Sequence, residues 1–414
     1  MIKFLKQLVF GFFLMTNFVF SQTKSLDYYL DEGVKNSPLL KDIYNQIKSL
    51  EQDSLILGAN QKPQVSAIGQ LMLAPTYNGY GYNDAVTNGG TYLGMINVSK
   101  LLANRKFVNA QYESINIQRQ ISSNTAKISE HDLKKSVTDQ YLIVYQDKKQ
   151  IDATKSIIDL LKKETDLLMQ LAEAGMYKQS DLLSFKIEMQ TQEITYDQLK
   201  IQYQSDLFSL NNICGITDTS MVEITTPNLI KHVQYSIENI PPFFKFHLDS
   251  LTIINSKTLL DLNYRPQLNA FANAGFNAVP IMPPQQNIGV SFGLNFNLPL
   301  YDGNQRKLGY KKFEFMEDTR RNYKEFMGTQ YKIQLRQIEE NRKANNAIKL
   351  QLLKQKSDIN NLMEMNKKQL EAGGISITDY ILNVRRSLDL QNDLNAAEIK
   401  ELLLINSTNY ITWQ

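Results

Sequence analysis

Two carboxylates stand at matching places in the chain. Asp181 closes the stretch Gly175-Met-Tyr-Lys-Gln-Ser-Asp181, and Asp379 closes Gly373-Gly-Ile-Ser-Ile-Thr-Asp379. A glycine can adopt positive φ, so Gly175 and Gly373 can each end a helix and let the chain reverse. Ser180 and Thr378 are residue types that cap a helix N-terminus, and they are expected to do so here. Asp181 and Asp379 then fall in the first helical turn, where a negative charge is favoured by the helix dipole. Neither carboxylate has a catalytic partner nearby in sequence. No phosphate-binding P-loop, G-x-S-x-G elbow or zinc signature is present. His131, His232 and His247 lie far apart, and a single Cys excludes a disulfide framework or a Cys-based zinc site. The chain therefore reads as a non-enzyme that holds no metal or cofactor.

The 414 residues carry 45 Lys+Arg against 42 Asp+Glu, a net charge of +3 that offers no general field for nucleic acid. Lys3 and Lys6 precede the mostly apolar stretch 8–20, and Val19-Phe20-Ser21 is an acceptable cleavage site. Residues 1–21 thus read as a cleaved secretory signal peptide. The apolar stretch is short of the ~20 residues of a membrane-spanning helix. No Cys stands at the cleavage region, the single Cys214 being far away, so lipidation is not expected. No later segment is long and apolar enough for a spanning helix, which leaves β-strands as the only way into a bilayer.

The elements that position the two tip motifs occur twice. Glu173-Ala174-Gly175 recurs as Glu371-Ala372-Gly373, Lys62-Pro63-Gln64-Val65 as Arg265-Pro266-Gln267-Leu268, and Arg105-Lys106 as Arg306-Lys307. These offsets of about 200 residues make the mature chain a tandem duplication, 22–226 and 227–414. Each copy is expected to run helix (25–61; 242–263), β-region (63–99; 266–300), long helix (101–172; 304–371), Gly turn (175; 373–374) and closing helix (179–213; 377–411). Between Gly94 and Gly175 the 80 residues contain neither Gly nor Pro. A 70-residue helix is ~105 Å long and must pack along its length as a coiled coil. Val137, Tyr141, Val144, Lys148, Ile151, Lys155 and Ile158 follow heptad core spacing, with two Lys among them. The second long helix contains Gly309 and Gly328 and is less regular. The pairs Lys148-Lys149, Lys162-Lys163 and Arg385-Arg386 read as solvated helix faces.

The β-regions carry the membrane signal. From 288 to 300 every even position is large and apolar, namely Ile288, Val290, Phe292, Leu294, Phe296, Leu298 and Leu300, and every odd position is Gly, Ser, Asn or Pro. Strict alternation over that length matches a strand with a lipid face and a lumen face. Leu268, Ala270, Ala272, Ala274 and Phe276 form a weaker partner face, separated from it by a Pro-containing loop. The first copy has Val65 to Leu73, a Tyr/Asn/Gly-rich loop, and Tyr92 to Ser99. Trp413 and the tyrosines from Tyr77 to Tyr82 are candidates for a membrane interface. Four strands cannot close a barrel, and open edges cannot face lipid, so the chain must oligomerise.

The duplication, the strand pair in each copy, the long helices, the Gly-x5-Asp tips and the Leu298-Pro299-Leu300-Tyr301-Asp302-Gly303 junction together resemble the TolC family of outer-membrane efflux and secretion channels. The resemblance covers nearly the whole mature chain. It implies a mainly α fold with four β-strands per chain. Three chains would form a 12-stranded outer-membrane barrel continued by a periplasmic α-helical tunnel. It implies a passive exit duct served by a periplasmic adaptor and an inner-membrane pump. Gly175, Met176, Tyr177, Ser180, Gly373, Gly374, Ile375 and Thr378 would lie at the adaptor-facing tip. Asp379 matches a family aperture carboxylate, and Asp181 its counterpart; repeated around an axis, such carboxylates favour cations. Leu370, Ile375 and Leu382 depart from the polar positions expected around that aperture, which points to a closed state held by apolar packing. Two other classes share parts of this plan: a periplasmic adaptor, with β-domains flanking one hairpin, and a secreted structural coiled coil, which has no need of the alternation at 288–300.

Overall fold

The computed structural model describes residues 23–82, 89–102, 105–231, 240–279 and 284–414. The expected signal peptide (1–21), His232, and Pro280 and Pro283 of the expected loop lie outside the described residues. The elements, in order, are α1 (Leu26–Asn36), α2 (Pro38–Asn60), β1 (Gln64–Leu73), β2 (Gly90–Leu101), α3 (Arg105–Glu173), α4 (Gln179–Ile213), α5 (Pro241–Asn263), β3 (Gln267–Ala278), β4 (Ile288–Asn297), α6 (Gln305–Glu371) and α7 (Ile377–Thr412). A short 3-10 turn at Pro284–Gln286 precedes β4. No helix among the described residues is long and apolar enough to cross a membrane.

Two expected boundaries are corrected. The first helical stretch is two helices, because Pro38 has no N–H to continue the ladder and biases Ser37 out of helical geometry. The Ser37 hydroxyl then accepts a hydrogen bond from the Leu40 N–H at 3.3 Å. The last strand stops at Asn297, so Leu298 lies outside it. Pro299 follows directly, and a proline cannot donate to the ladder.

The chain forms two compact units, and each draws on both halves of the sequence. One comprises Met1–Leu40, Ser129–Ile237 and Thr329–Gln414; the other comprises Lys41–Ile128 and Glu238–Gly328. The first unit is helical. Its core joins Leu26 and Tyr29 of α1 to Val137, Tyr141, Leu142 and Val144 of α3, to Tyr203, Leu207 and Leu210 of α4, and to Ile399 of α7. The expected heptad seam is visible there, with Val137, Tyr141, Val144 and Ile158 buried. Its two lysines part ways: Lys155 is exposed, whereas the Lys148 ammonium donates to the Ile224 carbonyl at 2.8 Å. The buried Tyr141 and Tyr203 hydroxyls donate to the Thr225 and Val222 carbonyls, both at 2.7 Å, so these aromatics bury area without stranding a polar group.

The second unit holds the sheet and the helices that flank it. The buried Asn255 amide of α5 donates to the Ala110 carbonyl of α3 at 3.0 Å. At Gly309 of α6 a methyl group would come within 2.9 Å of Leu260, so this glycine allows close packing of α6 on α5. The strands form one antiparallel sheet in the order β1-β2-β3-β4.

Candidate functional site

Two places carry the features that the sequence singled out. The first is the sheet. Its register aligns whole rows of side chains on one face: Val65–Val98–Ala272–Phe292, Ala67–Ile96–Ala274–Val290 and Gly69–Gly94–Phe276–Ile288. Leu294 continues that face beside Ala270, and Phe296 beside Leu268. Val290 and Phe292 are 81% and 88% exposed, so nothing among the described residues covers the face there. The opposite face carries the wholly polar row Ser66–Asn97–Asn273–Ser291. The apolar face legible in β4 therefore extends across all four strands, whereas the opposite face mixes that polar row with Ile68, Met95, Leu93 and Phe271. The apolar face is muted in β1 and β2, where Gly69 and Gly94 replace larger residues. A methyl group on Gly94 would lie 2.7 Å from the Phe276 ring, so that ring occupies the space of the missing side chain. β1 and β4 each pair on one side only, leaving two open edges. Leu298, expected on this face, is past the strand end. Tyr77, Tyr80 and Tyr82 are exposed where the chain passes from β1 towards β2, whereas Trp413 does not lie on the sheet. Its ring stacks on His131 of α3 at 4.1 Å.

The second place is the pair of hairpin tips. α3 ends in a Schellman motif: the Met176 N–H bonds to the Leu171 carbonyl and the Gly175 N–H to the Ala172 carbonyl. α6 ends the same way, with the Gly374 N–H on the Gln369 carbonyl and the Gly373 N–H on the Leu370 carbonyl. Gly175 and Gly373 have φ of 78° and 69°, a left-handed conformation that glycine adopts without a Cβ clash. The expected N-caps are displaced by two residues. Lys178 caps α4 and Ser376 caps α7, which leaves Ser180 and Thr378 exposed at the second helical position. Asp181 takes part in the capping at the first tip, and the Ser376 hydroxyl does the capping at the second. Asp181 accepts from the Lys178 N–H at 3.1 Å. Asp379 accepts from the Ser376 hydroxyl at 2.6 Å, and that hydroxyl accepts from the Asp379 N–H at 3.1 Å.

The tips touch each other. The Tyr177 hydroxyl bridges the Leu370 and Ile375 carbonyls at 3.1 and 3.2 Å, and Met176 lies against Gly373. Beneath them Leu161, Leu168, Phe185, Leu370, Ile377, Tyr380 and Val384 form a closed apolar cluster against which Ile375 packs. Leu382 stays half exposed.

Five contacts lie beyond what the sequence spacing encodes. Arg385 is exposed, as expected of a solvated face, but it is not free. It grips Glu188 of α4 through both carboxylate oxygens, 13 residues beyond Gly175 in the other hairpin. Glu188 is 3% exposed, and the Arg385 guanidinium holds its carboxyl below the usual range. Lys148 and Lys149 are likewise engaged, with Lys149 paired to Glu398 at 3.4 Å. Lys162 pairs with Glu193 at 3.5 Å. Asp147 of α3 is buried, with Asp206 of α4 beside it. Burial first, and that second carboxylate next, push its carboxyl up to about 7. Nothing in the sequence marks Asp147, because its neighbour lies 59 residues away.

No protein-family model matches the chain, and no match is found among curated proteins. Solved structures do match. The CmeC outer-membrane channel of Campylobacter jejuni is 13% identical, with a TM-score of 0.70 over 94% of this chain and 85% of that one. The outer-membrane protein VceC of Vibrio cholerae is 12% identical, with a TM-score of 0.72 over 94% and 95%. The MtrE outer-membrane channel of Neisseria gonorrhoeae, in its open state, is 10% identical, with a TM-score of 0.70 over 94% and 88%. The likeness runs the length of the chain, four strands and long helices included, and this protein has the fold of those outer-membrane channels.

Proposed function

We propose that the protein is the outer-membrane exit duct of a tripartite efflux or secretion system. The observation that carries this reading is the sheet, with one apolar face that the chain leaves bare and two edges that it leaves open. Exposed apolar area of this extent is stable only against lipid or another protein. Unpaired strand edges in lipid are forbidden, so the sheet must be closed by copies of itself, β1 of one against β4 of the next. Three copies give twelve strands, an even number within the range of known barrels. A homotrimer is therefore the assembly we favour. The long helices then continue the barrel as a periplasmic tunnel, reached after export by a cleaved, non-lipidated signal peptide.

In this reading the tips face a periplasmic adaptor coupled to an inner-membrane pump. Gly175, Met176, Tyr177, Ser180, Gly373, Gly374, Ile375 and Thr378 supply the contact surface. Asp181 and Asp379 repeat around the axis as carboxylate rings at the aperture, in addition to their capping bonds. The apolar cluster around Leu370 and Phe185 holds the tips together in the closed state. The duct supplies no energy of its own and carries no chemistry. Fractionation of cells producing the full chain tests this directly. The protein should enter the outer-membrane fraction and run as an oligomer that collapses to a monomer on boiling. Recovery as a soluble periplasmic monomer would refute it.

A further inference from the structure

The helical unit carries a second uncovered apolar surface. α4 buries Phe185, Gln192, Tyr203 and Leu210 against its own chain. On the opposite side of the same helix stand Ile187, Ile194, Ile201 and Phe208, one every seven residues, with Leu183 one turn nearer the tip. The three isoleucines are 54%, 61% and 69% exposed, and none of the five residues belongs to either apolar cluster of the unit. A seven-residue repeat of large apolar side chains is a coiled-coil seam, a ridge one helix wide that a partner helix covers. Lys186, Asp197 and Lys200 flank it, so it suits another helix and not a bilayer. The part of α6 nearest the tips offers the match. Its own seam runs along α7, where Arg342 pairs with Glu401 at 2.7 Å, the Asn345 amide donates to the Ala397 carbonyl at 2.9 Å and the Lys356 ammonium donates to the Gln391 side chain at 3.2 Å. On one flank of that seam Ile348, Leu362 and Met365 are exposed, and Gln355 completes the seven-residue spacing. The two stripes stand at the same heights. Met176 lies against Gly373, and the Tyr177 hydroxyl bonds the Leu370 and Ile375 carbonyls, which holds the tips level. α4 leaves its tip at Gln179, and α6 reaches its tip at Glu371. At about 1.5 Å per residue, Leu183 and Met365 are ~6–9 Å from these ends, Ile187 and Leu362 ~13 Å, Ile194 and Gln355 ~23 Å, and Ile201 and Ile348 ~34 Å. Both stripes are bare, so they do not meet within the chain.

We propose that the α4 stripe of one copy packs antiparallel on the α6 stripe of the next, Ile187 on Leu362 and Ile201 on Ile348, and that this seam closes the helical wall between copies. The proposal rests on the homotrimer reading above and names the helices that complete it. Copies related by rotation about one axis keep the same height, so stripes that are level within a chain are level between chains. The contact is head-to-tail. Each copy gives α4 on one side and α6 on the other, and a closed ring leaves neither stripe bare.

Cysteine pairs in the assembled full-length protein, in a Cys214→Ser background, test the seam. Ile187→Cys with Leu362→Cys, and Ile201→Cys with Ile348→Cys, should each give covalent dimers and trimers with a short bis-maleimide. Each single variant alone should stay monomeric on denaturing gels. Co-assembly of chains carrying Ile187→Cys with chains carrying Leu362→Cys should restore the dimer band, because the link runs between copies. Ile187→Cys with Ile348→Cys, ~21 Å out of register, should not link. Assembly should also abolish labelling of Ile194→Cys by a hydrophilic maleimide. An oligomer with the mass of three chains in which the level pairs fail to link, or in which Ile194→Cys labels as fast as in the dissociated chain, would overturn the seam. The duct would then stand, with the α4 stripe open to a protein of another kind. Equal linking by the out-of-register pair would overturn the seam as well. A chain that never assembles would remove the duct reading and the seam together.

Discussion

The sheet and the hairpin tips solve opposite problems. At the sheet, large apolar side chains such as Phe292 and Val290 point away from the chain, and the strand edges are left open. At the tips, each reversal is closed by its own backbone bonds, and the two reversals are tied together by Tyr177, Met176 and the cluster beneath them. In the proposed duct the sheet is completed by lipid and sister chains, whereas the tips are tied together within one chain. Substitutions in the first region should act on assembly, and those in the second on the stability of the chain itself.

The largest effect is expected at the sheet. Phe292→Arg puts a charge in the middle of the bare face, at a cost of about 2–4 kcal/mol per chain near mid-bilayer. Oligomer yield in membranes should collapse, while the helical content of the solubilised chain, read by circular dichroism, stays near that of the parent. Equal loss of both would erase the distinction between the regions.

Next comes the pH response of the helical unit. The folded state holds the Asp147 proton up to about pH 7, whereas the unfolded chain releases it near 3.8. The stabilising contribution of this group is complete below 3.8 and is lost as pH rises through 7. Between pH 5 and 7 the loss is roughly 2–3 kcal/mol. Asp147→Asn should abolish that slope in thermal melts, and an unchanged slope would assign it elsewhere. Glu188 acts in the other sense: its depressed carboxyl gives stability that is lost as pH falls through its folded value.

Arg385→Ala leaves the Glu188 carboxylate buried and unpaired. A fully buried pair costs ~3–5 kcal/mol to break in this way; with Arg385 half exposed, about 2 kcal/mol is expected. Proteolysis near the tips should speed up while oligomer yield holds. The smallest effect separates the two glycines. A Cβ at Gly175 meets nothing, whereas one at Gly373 comes within 2.9 Å of the Met176 methyl. Gly175→Ala should cost about 1 kcal/mol from the left-handed backbone alone. Gly373→Ala should cost more, and the additional part should vanish in a Met176→Ala background.

The same contrast governs what the sequence made legible. β4 announced itself because its apolar residues are large and its period is strict. The outward face of β1 and β2 was harder to read, since Ala67, Gly69 and Gly94 carry no apolar signal and gain their place only through cross-strand partners such as Phe276. The tips were legible as Gly-x5-Asp, but the caps were misplaced. Ser180 and Thr378 have suitable chemistry, yet each Schellman turn hands over to its helix two residues earlier, and the capping falls to Asp181 at one tip and to Ser376 at the other. Ser37-Pro38 carried a break that the helical pattern obscured. Arg385 with Glu188, and Asp147 with Asp206, join residues far apart in the chain. Their meaning lies in packing between helices, which no local spacing encodes.

The central claim is that copies of this chain close the sheet into a conducting barrel. Purified full-length protein in a planar lipid bilayer should give discrete conductance steps, and the active species should have the mass of three chains. A monomeric extract with no conductance at any voltage would contradict the account.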